Sequence, residues 1–349
     1  MSTSRSGRTA SSDRIRAAAA VAVKAWWAAE RFDAALLYGS AAWGDAQPGS
    51  DGDVMLLFGD PGQREQVVRV RDGTSRLYFD VVRATWDSFD RGVAGGWWLP
   101  RLACGTVLLD QAGHLAHRTV EARAAWSDQA ARAARAAKAL GPDPELGSGR
   151  GPLDAWHQAT VAAAQAVLLD RGVPPSGHHL LSRLFLAGGQ AAVDALVDGL
   201  ALPRTAEDAA ARHAAAMTLL NWARTFATAE MARPDLRTRQ AELLRFAFSE
   251  ATLAEANAGA ALWRRCGEWA QWGLASRDLA RITVLRNVAP LLGVPAEPAT
   301  LGAWLVDHAP ALASTWWQVL GLAGWSQGAV DAAKRARRVL AALVGRRTG

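Results

Sequence analysis

The run Leu37-Tyr38-Gly39-Ser40, followed after a polar loop by Ser50-Asp51-Gly52-Asp53-Val54-Met55-Leu56-Leu57, carries the architecture of the N-terminal half. An apolar strand, Ala34 to Tyr38, ends in a small Gly-Ser turn, and a second apolar strand opens on two carboxylates one residue apart. Alternation along a strand sets Asp51 and Asp53 on one face. Two carboxylates side by side repel unless a cation or proton neutralises them, and a divalent metal meets that need economically. Mg²⁺ takes oxygen ligands and binds through one or two carboxylates together with substrate phosphates. Gly39 allows close backbone approach, and the N–H groups around it, with the Ser40 hydroxyl, suit phosphate oxygens. A helix starting at Ala41 adds a dipole favourable to the same anion.

A two-metal site needs a third acid, and Asp80 is the best placed. It sits in the β-rich run Arg76-Leu77-Tyr78-Phe79-Asp80-Val81-Val82, which follows Val67-Val68-Arg69-Val70-Arg71 across the turn Asp72-Gly73-Thr74. The pattern predicts a hairpin whose second strand neighbours the Asp51/Asp53 strand.

At Gly39, Ser40, Asp51, Asp53 and Asp80 the chain resembles the DNA polymerase β-like nucleotidyltransferase superfamily. Its pattern is an apolar residue, Gly-Ser, a loop, Asp-x-Asp, then a third carboxylate between apolar residues on a later strand. The resemblance implies an α+β fold, with a small mixed sheet and flanking helices. It also implies two Mg²⁺ ions held by Asp51, Asp53 and Asp80, and ATP or another NTP as donor, with Gly39, Ser40 and Ser50 at the triphosphate. Two positions depart from the pattern. Gly52 replaces the usual apolar β-former, and glycine within a strand weakens it or marks a close approach. Trp43 stands where small members of the family often carry a basic residue, and its place in the Gly-Ser loop gives it a reason to face substrate.

The chain has 349 residues, half of them apolar, which is enough for a globular protein of two domains. Cys104 and Cys266 show no metal-ligand spacing and suggest a reducing compartment. The N-terminus lacks a signal-peptide pattern, so a cytoplasmic location is expected. His308 to Val330 carries no Asp, Glu, Lys or Arg, but Pro310, Ser314, Thr315, Gln318, Ser326 and Gln327 interrupt it. A buried helix and a turn near Gly324 fit that stretch better than a membrane span.

The net charge of +6 invites a nucleic-acid partner, yet its distribution argues against one. Arg150 to Ala333 holds 15 basic against 16 acidic residues, and the last sixteen residues add six basic ones: Lys334, Arg335, Arg337, Arg338, Arg346 and Arg347. That cluster reads as a solvated helix end.

Along the chain, residues 1–12 are polar and expected to be mobile. Asp13 to Glu30 is an Ala-rich helix capped by Ser12 or Asp13. The strands and hairpin follow, then a helix from near Thr85, a further strand at Gly105 to Asp110 closed by a turn at Asp110, and a helix from Val120 to Leu140. The Gly/Pro-rich segment 141–153 reads as a linker between a catalytic domain at 1–140 and an all-helical domain at 154–349. This layout resembles the small-molecule nucleotidyltransferases typified by aminoglycoside-modifying enzymes, although the helical half carries no diagnostic motif. In such enzymes a helical-domain carboxylate can assist the attacking hydroxyl; Glu230, Glu242 and Glu250 are equal candidates here.

Other features read more simply. The tryptophan pairs 26–27, 97–98 and 316–317 are expected mostly in the core. Arg83 and Arg101 could meet a triphosphate but are more simply surface arginines. His178-His179 has no metal-ligand spacing. Arg150 and His157 match the Arg-x6-His of HEPN ribonuclease domains, but Gly151-Pro152 predicts a helix starting no earlier than Pro152.

Together these readings predict metal-dependent transfer of a nucleoside monophosphate to a small hydroxylated acceptor bound between the domains, with pyrophosphate released. No nucleic-acid or membrane partner is expected. The alternatives are nucleotidylation of a protein or RNA, as by antitoxin-like AMP transferases, or a non-catalytic binding protein on the same scaffold.

Overall fold

Helix α1 (Ala10–Ala29) precedes strand β1 (Ala34–Tyr38), and the short helix α2 (Gly39–Trp43) leads to β2 (Gly52–Phe58). The hairpin of β3 (Gln66–Arg71) and β4 (Tyr78–Thr85) follows, then α3 (Trp86–Ala94), α4 (Leu99–Cys104) and β5 (Thr106–Asp110). This computed structural model describes residues 9–46, 50–59, 66–94, 96, 98–145, 149–176, 179–231, 269–281, 284–285 and 288–345. Within them the protein is α+β: one five-stranded mixed sheet with flanking helices, followed by helices alone.

The strand order is β3-β4-β2-β1-β5; β2 and β4 run parallel and the other pairs antiparallel. One face of the sheet presents Ala35, Leu37, Val54, Leu56, Phe58, Phe79 and Val81, which pack with Ile15, Ala19, Ala22 and Val23 of α1. Alternation turns Leu36, Met55 and Leu57 to the opposite face, and all three are fully buried. Both faces are therefore covered through the middle of the sheet, and carboxylates can be accommodated only at the strand ends.

Several boundaries differ from expectation. Thr9, not Ser12 or Asp13, caps α1: its side chain accepts from the Ser12 N–H at 3.1 Å, so residues 9–12 form a cap and first turn. Ser12 instead receives the Ala46 N–H at 3.0 Å, and Thr9 donates to the Ala46 carbonyl at 2.6 Å, tying the start of α1 to the loop after α2. The helix expected from Val120 to Leu140 is two helices, α5 (His114–Ser127) and α6 (Gln129–Leu140). Asp128 breaks it, because its carboxylate accepts the Ala131 N–H at 2.6 Å and caps α6. Asp110 is the turn residue expected, accepting the Ala116 N–H at 2.7 Å.

Two compact units divide at Ala131/Arg132, within α6 and ahead of the Gly/Pro-rich segment. The second unit comprises, among the described residues, most of α6, then α7 (Arg150–Asp170), α8 (Leu180–Gly199), α9 (Ala206–Met231), α10 (Trp269–Arg281), α11 (Pro298–His308), α12 (Pro310–Leu320) and α13 (Gln327–Ala341). Helix α7 begins at Arg150, not after Pro152, and so takes residues 150–153 from the expected linker. Proline is tolerated there because first-turn N–H groups have no intrahelical partner anyway. Arg150 lies over the Trp317 ring at 5.1 Å while His157 is 1 % exposed, so the Arg-x6-His pair forms no open ribonuclease site.

The uncharged stretch 308–330 holds α12, a reversal at Gly321 and the start of α13, with Trp316, Val319 and Leu320 in the core as expected. Helix α8 is, among the described residues, long and apolar enough to cross a membrane, although it is interrupted at Gly189 and buries Leu180, Leu184, Leu196 and Val197. Arg337 corrects the reading of the basic C-terminus as solvated. It is 4 % exposed, with Nε donating to Asp143 at 2.5 Å and its other nitrogens to the Leu140, Gly141 and Ala159 carbonyls. Arg346, Arg347, Cys266, Trp97, His178, Glu242 and Glu250 lie outside the described residues, as does the side chain of Glu230.

Candidate active site at the ends of β1, β2 and β4

Asp53 is the centre of the candidate site. It pairs in register with Tyr38 of β1 on one side and with Asp80 of β4 on the other. Register partners share a face, so the two carboxylates and the Tyr38 ring project to the same side of the sheet. Asp51 stands two residues before Asp53 at the start of β2, and Ser50, half-buried, precedes it. The expected neighbouring of the Asp80 strand and the Asp51/Asp53 strand is thus present, as a parallel pair.

Gly39 opens α2 with φ +70°, and a Cβ built on it would lie 1.9 Å from Asp53 Oδ2. The close approach anticipated at Gly39 is therefore made first by the protein's own carboxylate. Any side chain here would both strain the backbone and push Asp53 aside. Ser40 lies in the first turn of α2, and Trp43, half-buried, ends it. Arg16 of α1 fixes the other end of this helix, donating to the carbonyls of Ala41, at 2.8 Å, and Ala42.

Gly52 has its explanation on the far face. A Cβ there would meet the Phe79 ring at 2.5 Å and Ile15 at 3.0 Å. The departure from the family pattern makes room for an aromatic side chain beneath the site and alters none of the carboxylates.

Sequence reasoning missed Arg69. It pairs in register with Asp80, donates from Nη2 to Asp51 Oδ2 at 2.5 Å, and holds Nε 3.4 Å from Asp80 Oδ1. Arg69 and Asp80 are largely buried, and Arg69 Nη1 is buried without a hydrogen-bond partner. The cation demanded by clustered acids is thus in part a guanidinium of the chain itself. The alternating charges of Val67-Val68-Arg69-Val70-Arg71 were the available signal, but locating Arg69 beside Asp80 needs the hairpin register.

Three aspartates are the hard oxygen donors that suit Mg²⁺. As arranged, however, no group of three or more His, Cys, Asp or Glu side chains among the described residues is placed to hold a metal ion. Arg69 bridges Asp51 and Asp80, so those two acids join Asp53 around a metal only if the guanidinium gives way.

Tyr38 and Arg101 complete the surroundings. Burial first, then the Asp53, Asp80 and Asp51 carboxylates, push the Tyr38 phenol far above its ordinary value against a lowering influence from Arg101, so the hydroxyl stays protonated. The Tyr38 ring meets Trp98 edge-on at 5.8 Å, and the Arg101 guanidinium lies over both rings, at 5.6 and 4.6 Å. Arg101 and the three acids thus all act on the Tyr38 phenol. Arg83 does not: it faces the α1 side of the sheet, where both its terminal nitrogens bond Glu30. Trp26 and Trp316 are packing residues as expected, Trp26 against Phe79 and Trp316 with its N–H on the Pro298 carbonyl.

Neither family models nor curated proteins match this chain. Among solved structures it is similar to a nucleotidyltransferase-like protein from Exiguobacterium sibiricum 255-15, with 15 % identity and a TM-score of 0.27. The similarity covers 52 % of this chain and 66 % of that one. A likeness this slight does not bear on activity.

Proposed function

We propose that this chain transfers a nucleoside monophosphate, AMP from ATP, to a hydroxyl group of a small-molecule acceptor with release of pyrophosphate, in a metal-dependent reaction. The observation that carries the reading is the position of Asp53, whose carboxylate lies against the Gly39 backbone while its residue pairs with Asp80 across β2 and β4. A turn suited to phosphates and a carboxylate face meet at one point. Mg²⁺ bound by Asp51, Asp53 and Asp80 would supply positive charge to the triphosphate and the attacking oxygen.

The chain's own contribution is positional. Gly39 leaves room for the Asp53 carboxylate, Ser40 and Ser50 offer hydroxyl donors, and Arg101 adds a cation over the Tyr38 ring. An acceptor oxygen bonds to the α-phosphorus as the bond to the bridging oxygen breaks; pyrophosphate departs with that electron pair and the hydroxyl proton passes to a base. The near-balanced charge of Arg150 to Ala333 favours a small acceptor over a nucleic acid.

A donor and acceptor screen for pyrophosphate release tests this, with Asp53→Asn as control. Release that depends on a divalent metal and vanishes in the variant supports the reading; no release, or release unchanged in the variant, sinks it. Labelled ATP with lysate, separated by size, distinguishes a small product from labelled protein or RNA.

A second reading, a binding protein without turnover, is favoured by the Arg69 bridge, which already neutralises part of the acidic cluster. Protein that binds no Mg-nucleotide, with stability in Mg-ATP unaffected by Asp51→Asn, decides for it.

A further inference from the structure

Arg69 holds Asp51 through an Nη2 hydrogen bond of 2.5 Å and stands with Nε 3.4 Å from Asp80, so one guanidinium spans two of the three acids at the strand ends. The third, Asp53, has its carboxylate against the Gly39 backbone. A divalent cation arriving alone must therefore evict Arg69, whose side chain is only 12 % exposed. Eviction without a new partner is costly, because water reaches the guanidinium poorly and no counter-charge replaces the aspartates.

The hold on the acids is nevertheless an incomplete one. Arg69 Nε and Nη1 make no hydrogen bond, so leaving the acids gives up the bond to Asp51. The Asp51 side chain is 33 % exposed against 10 % for Asp80, which puts the bond that must break on the side open to solvent. Arg69 reaches β2, and β2 neighbours β1, whose end carries the Gly39-Ser40 turn. Neighbouring strands lie about 4.8 Å apart, so phosphate oxygens seated at that turn fall within the swing of an arginine side chain. Arg71, two residues along on the same face of β3, is exposed, and the Arg69 and Arg71 guanidiniums lie 5.7 and 5.8 Å from the Tyr78 ring. The edge strand thus offers an anion two cations beside the acids.

We propose that Arg69 couples cation binding to nucleotide binding: it closes the acids to a free divalent cation and passes to the triphosphate when metal and nucleotide arrive together. This rests on the nucleotidyl-transfer reading and adds to it an order of assembly. Phosphate oxygens accept a guanidinium as a carboxylate does, so Arg69 exchanges one anion for another and is not left unpaired. Its departure leaves Asp51 and Asp80 to face incoming positive charge together with Asp53. By linkage, each ligand then raises the affinity for the other by the same factor.

The test is a calorimetric titration of the full chain with Mn²⁺, alone and with α,β-methylene-ATP, an analogue that cannot release pyrophosphate. The unmodified chain should bind Mn²⁺ weakly alone and far more tightly with the analogue. In Arg69→Met, Mn²⁺ alone should bind about tenfold more tightly or better, and the gain brought by the analogue should shrink by the same factor. The affinity of Mn²⁺ for the analogue itself is common to both proteins and cancels in that comparison. A residue that only supported the fold would not strengthen metal binding when removed. Because Arg69→Met breaks a buried pair, the unmodified chain carries the deciding measurement: equal Mn²⁺ affinity with and without the analogue overturns the proposal, as does an undiminished gain in the variant. If either result accompanies metal-dependent pyrophosphate release, the nucleotidyl-transfer reading stands alone; a chain that binds neither ligand overturns both.

Discussion

Arg69 donates to Asp51 at 2.5 Å, joining the second strand of the sheet to its edge hairpin. The same guanidinium stands 3.4 Å from Asp80, itself 7 % exposed. Removing one member of such a buried group leaves an uncompensated charge and costs about 3 kcal/mol. Arg69→Met is therefore expected to lose about that much stability in EDTA, measured by denaturant unfolding. Added Mg²⁺ or Mn²⁺ should restore most of the loss, since the acids then need an external cation, while the unmodified protein should gain little. An identical metal response in both proteins would show that Arg69 and the metal do not compete.

Asp53→Asn keeps the shape of the side chain and removes its charge. Pyrophosphate release should fall by at least about 100-fold, the scale of losing one preorganised electrostatic group. The unfolding midpoint should hold or rise, because repulsion between Asp53 and Asp80 is relieved. Gly39→Ala should reproduce the loss of activity through displacement of the Asp53 carboxylate. Full activity in Gly39→Ala would mean that this contact is dispensable.

Gly52→Val tests why glycine interrupts the acidic pair. Its side chain would enter the space of the Phe79 ring, 2.5 Å from the first added carbon, and overpacking of this kind costs roughly 1–3 kcal/mol. Phe79→Leu in the same chain should recover part of that cost by opening the space. Additive losses in the double variant would refute the link.

His157 makes the second unit sensitive to acid. Burial and the surrounding arginines lower its folded pKa to about 3, against an ordinary value of 6.5. Below pH 6.5 the unfolded chain gains a proton that the folded one refuses, so stability falls as pH drops and goes on falling until about pH 3. Each pH unit in that window is worth about 1.4 kcal/mol, giving a loss of about 2 kcal/mol between pH 6.5 and 5 from this residue. Asp154, whose pKa is raised by burial against Arg281 and Arg277, works in the opposite sense: its contribution declines as pH rises from 3.8 through its folded value. His157→Phe should flatten the slope between pH 6.5 and 5, as measured by denaturant unfolding. An unchanged slope would assign the acid sensitivity to other groups.

The candidate site was legible wherever its signal was local. Gly39-Ser40, Asp51-x-Asp53 and a β-flanked Asp80 each announce themselves within a few residues, and strand alternation suffices to put the acids on one face. The hairpin was equally readable, because turn-forming residues separate two β-rich runs. Helix ends were less so. Thr9 and Asp128 act as caps by accepting N–H groups three residues on, and neither stands out among neighbouring polar residues.

What the sequence determined by itself was the alternation and punctuation of the N-terminal half: short apolar strands, a glycine turn and carboxylates at strand ends. These depend on neighbours along the chain. Only the tertiary structure decided which cation those acids meet. Arg69 lies eighteen residues from Asp51, and its arrival there depends on how the chain from Asp72 to Leu77 sets the β3–β4 register. The same is true of Arg83, which pairs with Glu30 across fifty-three residues, and of Arg337, which reaches Asp143 across 194. Charge pairing is a matter of distance in space, and composition records only that the charges exist.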